Sequence, residues 1–490
     1  MPAIPFGEYR PDISDYEAGT ERGILNVIPR ADGFGPFNSL AAISQSLGLR
    51  CMGAIAAYKT DGTVVVFAAS STGLYRLNNT TFGWSNVSKG GAAYAAVSTG
   101  ELWQFRQFNN LVIAVQGNVV PQVFNIATDA AFSDLLGGPP PARYIDIVGK
   151  FAVLGGLQTN PNHIQWSGLN DVNSATAWTP GVNSSDIQPL ADGGFVRGIA
   201  GGENGIVLQD TIIRSMTYLP GDARVFQIEK LAEGLGLFGS YSLIRSGSTI
   251  MFYSLKGFQR IDPGAAPTQI GRERVDRTFF ADFDRGAPDL FQGFADPRSS
   301  RVFWAYKSVN GVAGRFDKVL CYDATLDKFT PLKFSGELLF SMSQPGVTLE
   351  QISSLLGSNL DAITQSFDNF RSAVVPEMAA FDATHSLGFF RGPNLEATLE
   401  TAEQGSDISR VKIKKGLRAI CDAPAVYASA SRRETLDQTT TYSAESSRNP
   451  VTGLCNMLFD SRYSRFHLRI PAATSWTYVS GVEADPKVKR

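Results

Sequence analysis

The stretch Thr249-Ile250-Met251-Phe252-Tyr253, followed closely by Gly257-Phe258-Gln259-Arg260-Ile261, decides the reading of the fold. An apolar run rich in β-branched and aromatic side chains meets a glycine turn, and a second run begins beyond it. That is the sequence form of two antiparallel strands joined tightly. The unit repeats on either side. Anchor runs stand at Val64-Val65-Val66-Phe67, Leu111-Val112-Ile113-Ala114-Val115, Phe151-Ala152-Val153-Leu154, Gly205-Ile206-Val207-Leu208 and Arg301-Val302-Phe303-Trp304-Ala305-Tyr306. Outer strands follow several of them, such as Gly73-Leu74-Tyr75-Arg76-Leu77, Gln122-Val123-Phe124-Asn125-Ile126 and Val319-Leu320-Cys321-Tyr322-Asp323. The anchors recur every 40–54 residues, close to the blade length of a β-propeller. Six anchors predict six blades over residues 51–333. There is no WD dipeptide and no kelch double glycine at a fixed offset. A large β-sandwich with irregular hairpins is the competing architecture.

Working outward, residues 1–50 read as an extended arm. Pro2, Pro5, Pro11, Pro29 and Pro36 break it, helped by Gly19, Gly23, Gly33 and Gly35. Ser39 to Leu47 is expected to make two helical turns. Tyr9, Tyr16, Phe34 and Phe37 imply that the arm packs on its own body or on a neighbouring subunit. Residues 334–395 lose the repeat and read as a connector or insertion. Within it Thr348-Leu349-Glu350-Gln351 forms a capping box, followed by a short helix through Ile352, Leu355 and Leu356 that Gly357 ends. Residues 396–490 read as a C-terminal β-sandwich with a basic tail, Pro486-Lys487-Val488-Lys489-Arg490. Its strands are Val411-Lys412-Ile413-Lys414, Arg465-Phe466-His467-Leu468-Arg469-Ile470 and Ser475-Trp476-Thr477-Tyr478-Val479. The fold class is therefore mainly β: a propeller flanked by an arm and a sandwich.

The 490 residues carry 44 Lys+Arg against 46 Asp+Glu, a formal charge of −2. That balance excludes a strongly basic nucleic-acid coat, because tight phosphate binding needs a basic surplus on some face. No apolar run is long enough for a transmembrane helix, and the start of the chain lacks a basic region followed by an apolar stretch, so neither membrane anchor nor secretory signal is expected. Cys51, Cys321, Cys421 and Cys455 lie far apart, with no C-x-x-C, and read as small buried side chains in a reducing compartment.

Few residues point to chemistry. Gly234-Leu235-Gly236-Leu237-Phe238-Gly239 matches G-x-G-x-x-G, but the next strand follows too soon for the helix that a dinucleotide needs, so it reads as a turn. His163, His385 and His467 share no ligand spacing, and His467 falls on the outward face of its strand. There is no G-x-S-x-G and no phosphate loop. Asp146, Asp171, Asp210 and Asp296 are the acids a glycosidase reading would use, yet they sit where turn acids normally do. Lys412, Lys414, Lys415 and Arg418 form a basic cluster, either a solvated strand face or a contact for an acidic partner. No catalytic, cofactor or metal residues are assigned.

The order of features resembles one family. Asn26-Val27-Ile28-Pro29 leads to Gly33-Phe34-Gly35-Pro36. Then come Tyr144-Ile145-Asp146-Ile147-Val148, Ile164-Gln165-Trp166-Ser167-Gly168-Leu169-Asn170-Asp171, Trp178, Gly234 to Gly239, Phe252-Tyr253-Ser254-Leu255-Lys256-Gly257-Phe258 and Arg462-Tyr463-Ser464-Arg465-Phe466-His467-Leu468-Arg469-Ile470-Pro471. Over nearly its whole length the chain resembles the tail hub, or phage stabilisation, proteins of short-tailed bacteriophages, which are similar in architecture to tail nozzle proteins. The resemblance implies a non-enzymatic virion component assembled in the host cytoplasm. It implies a hexameric ring below the portal and adaptor that meets other tail proteins, continues the DNA channel without sequence-specific binding and helps retain packaged DNA. The alternatives are a receptor- or glycan-binding tail component and a cellular propeller scaffold.

Overall fold

The computed structural model describes residues 3–14, 20–21, 23–222, 224–344, 376–405 and 410–484. The capping box and helix expected at 348–357, Tyr16 and the basic tail lie outside them.

The anchor runs are central strands of small antiparallel sheets. Five sheets have four strands each in simple up-and-down order, covering 54–86, 104–134, 142–189, 196–233 and 244–269. A sixth has seven strands, beginning Phe291–Ala295, Arg301–Tyr306 and Phe316–Asp323. The arrangement is mainly β and propeller-like. What makes it so is written in the alternation of each run. Ile250 and Phe252 face the preceding sheet, where they meet Leu208 and Ile213. Met251 and Tyr253 face the following one and meet Phe291, Val302 and Trp304. Likewise Val112 and Ala114 pack backward on Phe67, while Ile113 and Val115 pack forward on Ala152 and Leu154. Both faces of every central strand are buried, so the runs are continuously apolar rather than alternating. Aromatic rings fill the seams: Phe67–Phe124 centroids lie 4.9 Å apart, Phe151–Phe226 5.0 Å and Phe258–Trp304 4.6 Å.

The seven-stranded sheet bends. Its strand Lys328–Met342 pairs with Phe316–Asp323 over its first part and with Glu377–Asp382 over its second, changing partner at Gly336. A Cβ on Gly336 would stand 2.5 Å from the Phe334 ring and 2.6 Å from the Phe381 carbonyl, so the bend requires glycine. Leu339 then joins the seam with Phe303 and Cys321, while Leu338 and Phe340 pack on Val64 and Val66 of the first sheet. The circle of seams thereby closes on itself. The strands on either side of 345–375 thus belong to this sheet, although the text there reads as a connector.

The last strand of that sheet is Ala41–Ser46. The helix expected at Ser39–Leu47 is therefore a strand. Its partner Ser386–Phe389 offers a ladder that outweighs local propensity, and Ile43 packs on the closing seam. An unexpected helix, Asp276–Asp282, packs Phe279 under the fifth and sixth sheets. Asp12 caps it: its carboxylate accepts from the backbone N–H of Arg277 (2.8 Å) and Thr278 (2.9 Å) and from the Thr278 hydroxyl (2.6 Å).

The arm packs on its own chain. Ala3–Pro5 pairs with Val479–Ala484, and the hairpin Val27–Arg30/Gly33–Pro36 joins the same sheet through Phe34. Phe6, Ile24, Val27 and Phe34 share one apolar core with Leu399, Leu468, Trp476 and Val482. A second sheet, built on Ala397–Glu400, Phe466–Ile470 and Tyr427–Arg432, covers that core. The strand expected at Ser475–Val479 begins only at Val479. Before it, the Asp422 carboxylate binds the N–H groups of Thr477 and Tyr478 and the Thr477 hydroxyl, which holds that segment out of a ladder.

Candidate functional site

Two places gather polar groups: the middle of the ring, and a cavity between the ring and the second core.

Hydrogen bonds cross the middle of the ring. Leu102, just ahead of the second sheet, donates its N–H to the Tyr241 hydroxyl at 2.8 Å, and Tyr144 of the third donates to Ser240 at 2.9 Å. Ser240 and Tyr241 lead into the fifth sheet, so these bonds span the interior. Its charges are matched. Arg106 grips Asp146 through two hydrogen bonds of 2.7 and 3.0 Å, Arg143 meets Glu101 at 2.5 Å and Arg50 meets Asp289 at 2.6 Å. Burial pushes the Asp146 carboxyl up, but the Arg106 guanidinium outweighs it and holds the group below the usual carboxylate range. Burial pushes the Tyr241 phenol well above its usual value.

The cavity has a volume of about 800 Å³, within the range of small-molecule sites. One wall is the ring: Val275 just before the helix, Thr278, Phe279 and Asp282 within it, Tyr306, and Lys318–Leu320. Asp282 accepts from Tyr306 (3.0 Å) and Lys318 (2.7 Å). The opposite wall is the outward face of the second sheet, with Thr398, Glu400, Ser429, Tyr442, Glu445 and His467. Antiparallel register places Glu400 and Ser429 directly beside His467, one on each side. The Tyr442 hydroxyl binds Glu400, and Arg469 binds Glu445 at 2.6 Å. Burial lowers the His467 pKa below its usual value against the pull of Glu400 and Glu445.

The sequence-derived residues do not converge. Asp146 serves Arg106. Asp171 accepts from the Asn173 and Ser174 N–H groups, Asp210 holds Arg197 (2.5 Å) and the Phe195 N–H (2.7 Å), and Asp296 binds Ser299. Asp171, Asp210 and Asp296 are turn or ion-pair acids within their own sheets, and Asp146 pairs with Arg106 of the preceding sheet. Gly236 lies against the Asp210 carbonyl and Gly239 against the Phe291 ring, so that motif is a close-packed turn. His163 pairs with Asn162, and His385 with the buried Glu337 at 2.6 Å. His467 faces the cavity rather than open solvent. Among the described residues no group of three His, Cys, Asp or Glu side chains could hold a metal ion. The four cysteines are free thiols, and burial raises all four, Cys321 to about 12. In the basic cluster Lys412 lies 3.7 Å from Asp460 and Arg418 3.8 Å from Glu483. The cavity itself was missed, because its walls come from segments scattered from Tyr9 to His467. The one available signal was the outward row on Phe466–Ile470.

No family model matches the chain, and no curated protein is similar to it. Solved structures match loosely. The extracellular domain of a hybrid two-component system from B. thetaiotaomicron aligns with TM-score 0.40 and 10% identity, over 77% of this chain and 41% of that one. BamB from Moraxella catarrhalis aligns with TM-score 0.34 and 9% identity, over 66% of this chain and 91% of its own. The designed protein Ika8 aligns with TM-score 0.37 and 9% identity, over 72% and 98%. The fold assignment stands on the sheet topology.

Proposed function

We propose that this protein is a non-enzymatic structural subunit, the hub of a short phage tail, working as a homo-oligomeric ring between the adaptor and the other tail proteins. The observation that carries the reading is double closure. Ala3–Pro5 lies in the second core, Ala41–Ser46 completes the ring, and after the circuit Val479–Ala484 lies in that same core. A double tie of this kind spreads a load over every seam, as a part under internal pressure requires. In this reading the ring has seven blades rather than six. The seventh runs from the second half of Lys328–Met342 through Glu377–Asp382 and Ser386–Phe389 to Ala41–Ser46. The second core is a β-sandwich. Because hydrogen bonds cross the middle of each ring, DNA would pass between copies and not through any one of them.

The test is electron microscopy of the purified protein, alone and mixed with adaptor and neighbouring tail proteins. Closed rings of copies around a central channel support the hub. A monomer that stays monomeric with every tail partner overturns it.

A further inference from the structure

We propose that the cavity between the ring and the second core binds a neutral carbohydrate through the row Glu400–His467–Ser429. The row is fixed by the backbone. The three residues are register partners on adjacent antiparallel strands, so their side chains leave the same face, with Cβ atoms roughly 5 Å apart. The other face of those strands, Leu399, Leu468 and Ala428, is sealed in the apolar core. The row therefore has only the cavity to address.

Two of its three members have hydrogen-bonding capacity to spare. Neither ring nitrogen of His467 nor the hydroxyl of Ser429 bonds to a described residue, although Ser429 is only 3% exposed. A neutral imidazole offers one donor and one acceptor, and a serine hydroxyl offers both. Groups of that kind match sugar hydroxyls, which also donate and accept. The charges argue for a neutral ligand. Asp282 is matched by Lys318, Glu445 by Arg469, and Glu400 lies 3.9 Å from Arg465 and takes the Tyr442 hydroxyl. Lys333 also lines the cavity and is exposed. Apolar wall is also present. Phe279, Leu320 and Leu332 line one side, and the Tyr442 ring meets the His467 ring edge-on at 6.0 Å, which leaves an aromatic face near the opening. A pyranose has this dual character, a C–H face and a hydroxyl rim. The volume of about 800 Å³ accommodates a short oligosaccharide.

The experiment is ligand-observed NMR on the full chain with maltotriose, cellotriose and tri-N-acetylchitotriose, and with trigalacturonate as the acidic comparison. At least one neutral trisaccharide is expected to bind. His467→Phe, which keeps the ring volume, and Ser429→Ala are each expected to weaken it by about tenfold, the loss of one hydrogen bond to a buried site. Circular dichroism melting establishes that both variants fold, and Ser429→Ala carries the test if the histidine variant does not. The proposal fails if no neutral trisaccharide binds, if binding survives both substitutions, or if the acidic sugar binds more tightly than the neutral ones. None of these outcomes depends on ring assembly.

Discussion

Single carboxylates do opposite work around the helix Asp276–Asp282. Asp12 is buried and spends its charge on two backbone N–H groups and a hydroxyl at the helix start. Asp12→Ala is expected to cost about 1–2 kcal/mol, measured as a lowered urea midpoint with unchanged slope. Asp276 is the reverse case. Burial raises its pKa to about 6, and the neighbouring Asp12 adds to the shift. A carboxyl whose folded value lies above its unfolded one stabilises the fold when protonated. That contribution is complete below the unfolded value of 3.8 and is lost as pH rises to about 6. Asp276→Asn keeps an acceptor for the Phe258 N–H, 3.0 Å away, and removes the charge. It should raise stability at neutral pH by about 1–2 kcal/mol and flatten the stability profile between those two values. Denaturation curves across that range decide it; a variant less stable than the parent at neutral pH would show that the charge is favourable. At this scale the sequence was least legible. Asp12 and its helix are more than 260 residues apart, and nothing local marks their partnership.

Strands were legible where burial on both faces writes itself as an apolar run, and illegible where a strand is made by its partner. Thr249–Ser254 announces itself. Ala41–Ser46 does not: Ala41-Ala42-Ile43-Ser44-Gln45-Ser46 is weakly apolar and half exposed, and only the edge at Ser386–Phe389 makes it extended. The same cause hid the strands flanking 345–375. Gly388 tests that closing ladder. A Cβ there would come within 2.4 Å of the Ala41 carbonyl, a contact that cannot be relieved without moving the strand. Gly388→Ala is expected to cost about 2 kcal/mol or more, and to expose residues near 40–50 to protease before the rest of the ring. Uniform cleavage, or none, would mean that Ala41–Ser46 is not what holds the circle shut. A neighbouring latch points the same way. Glu337 accepts the Cys51 N–H at 2.8 Å as well as bonding His385, tying the exit of the closing strand to the bent one.

Across the whole molecule, charge is arranged rather than accumulated. The formal excess of −2 says nothing of position, but the interior pairs Arg106–Asp146, Arg143–Glu101 and Arg50–Asp289 leave those cations no phosphate to seek. Around the second core, Arg410 holds Glu434 and Asp460, and Arg469 holds Glu396 and Glu445. A protein that neutralises several phosphates releases as many counterions, so its affinity falls steeply with salt. One whose arginines are already paired has few to offer. The chain is therefore expected to bind a short DNA duplex only weakly at physiological salt, with a shallow salt dependence, as read by fluorescence anisotropy over a salt titration. Removal of one carboxylate charge supplies the contrast. Asp146→Asn frees Arg106 in the interior, yet Tyr241 and Leu102 still close that space, so DNA affinity should not rise. Tight binding by the parent would mean that exposed cations such as Lys150, Lys256 and Lys333 act together as a phosphate-binding face. A rise in the Asp146 variant would mean that the ring's own axis is open to DNA, against the hydrogen bonds that cross it.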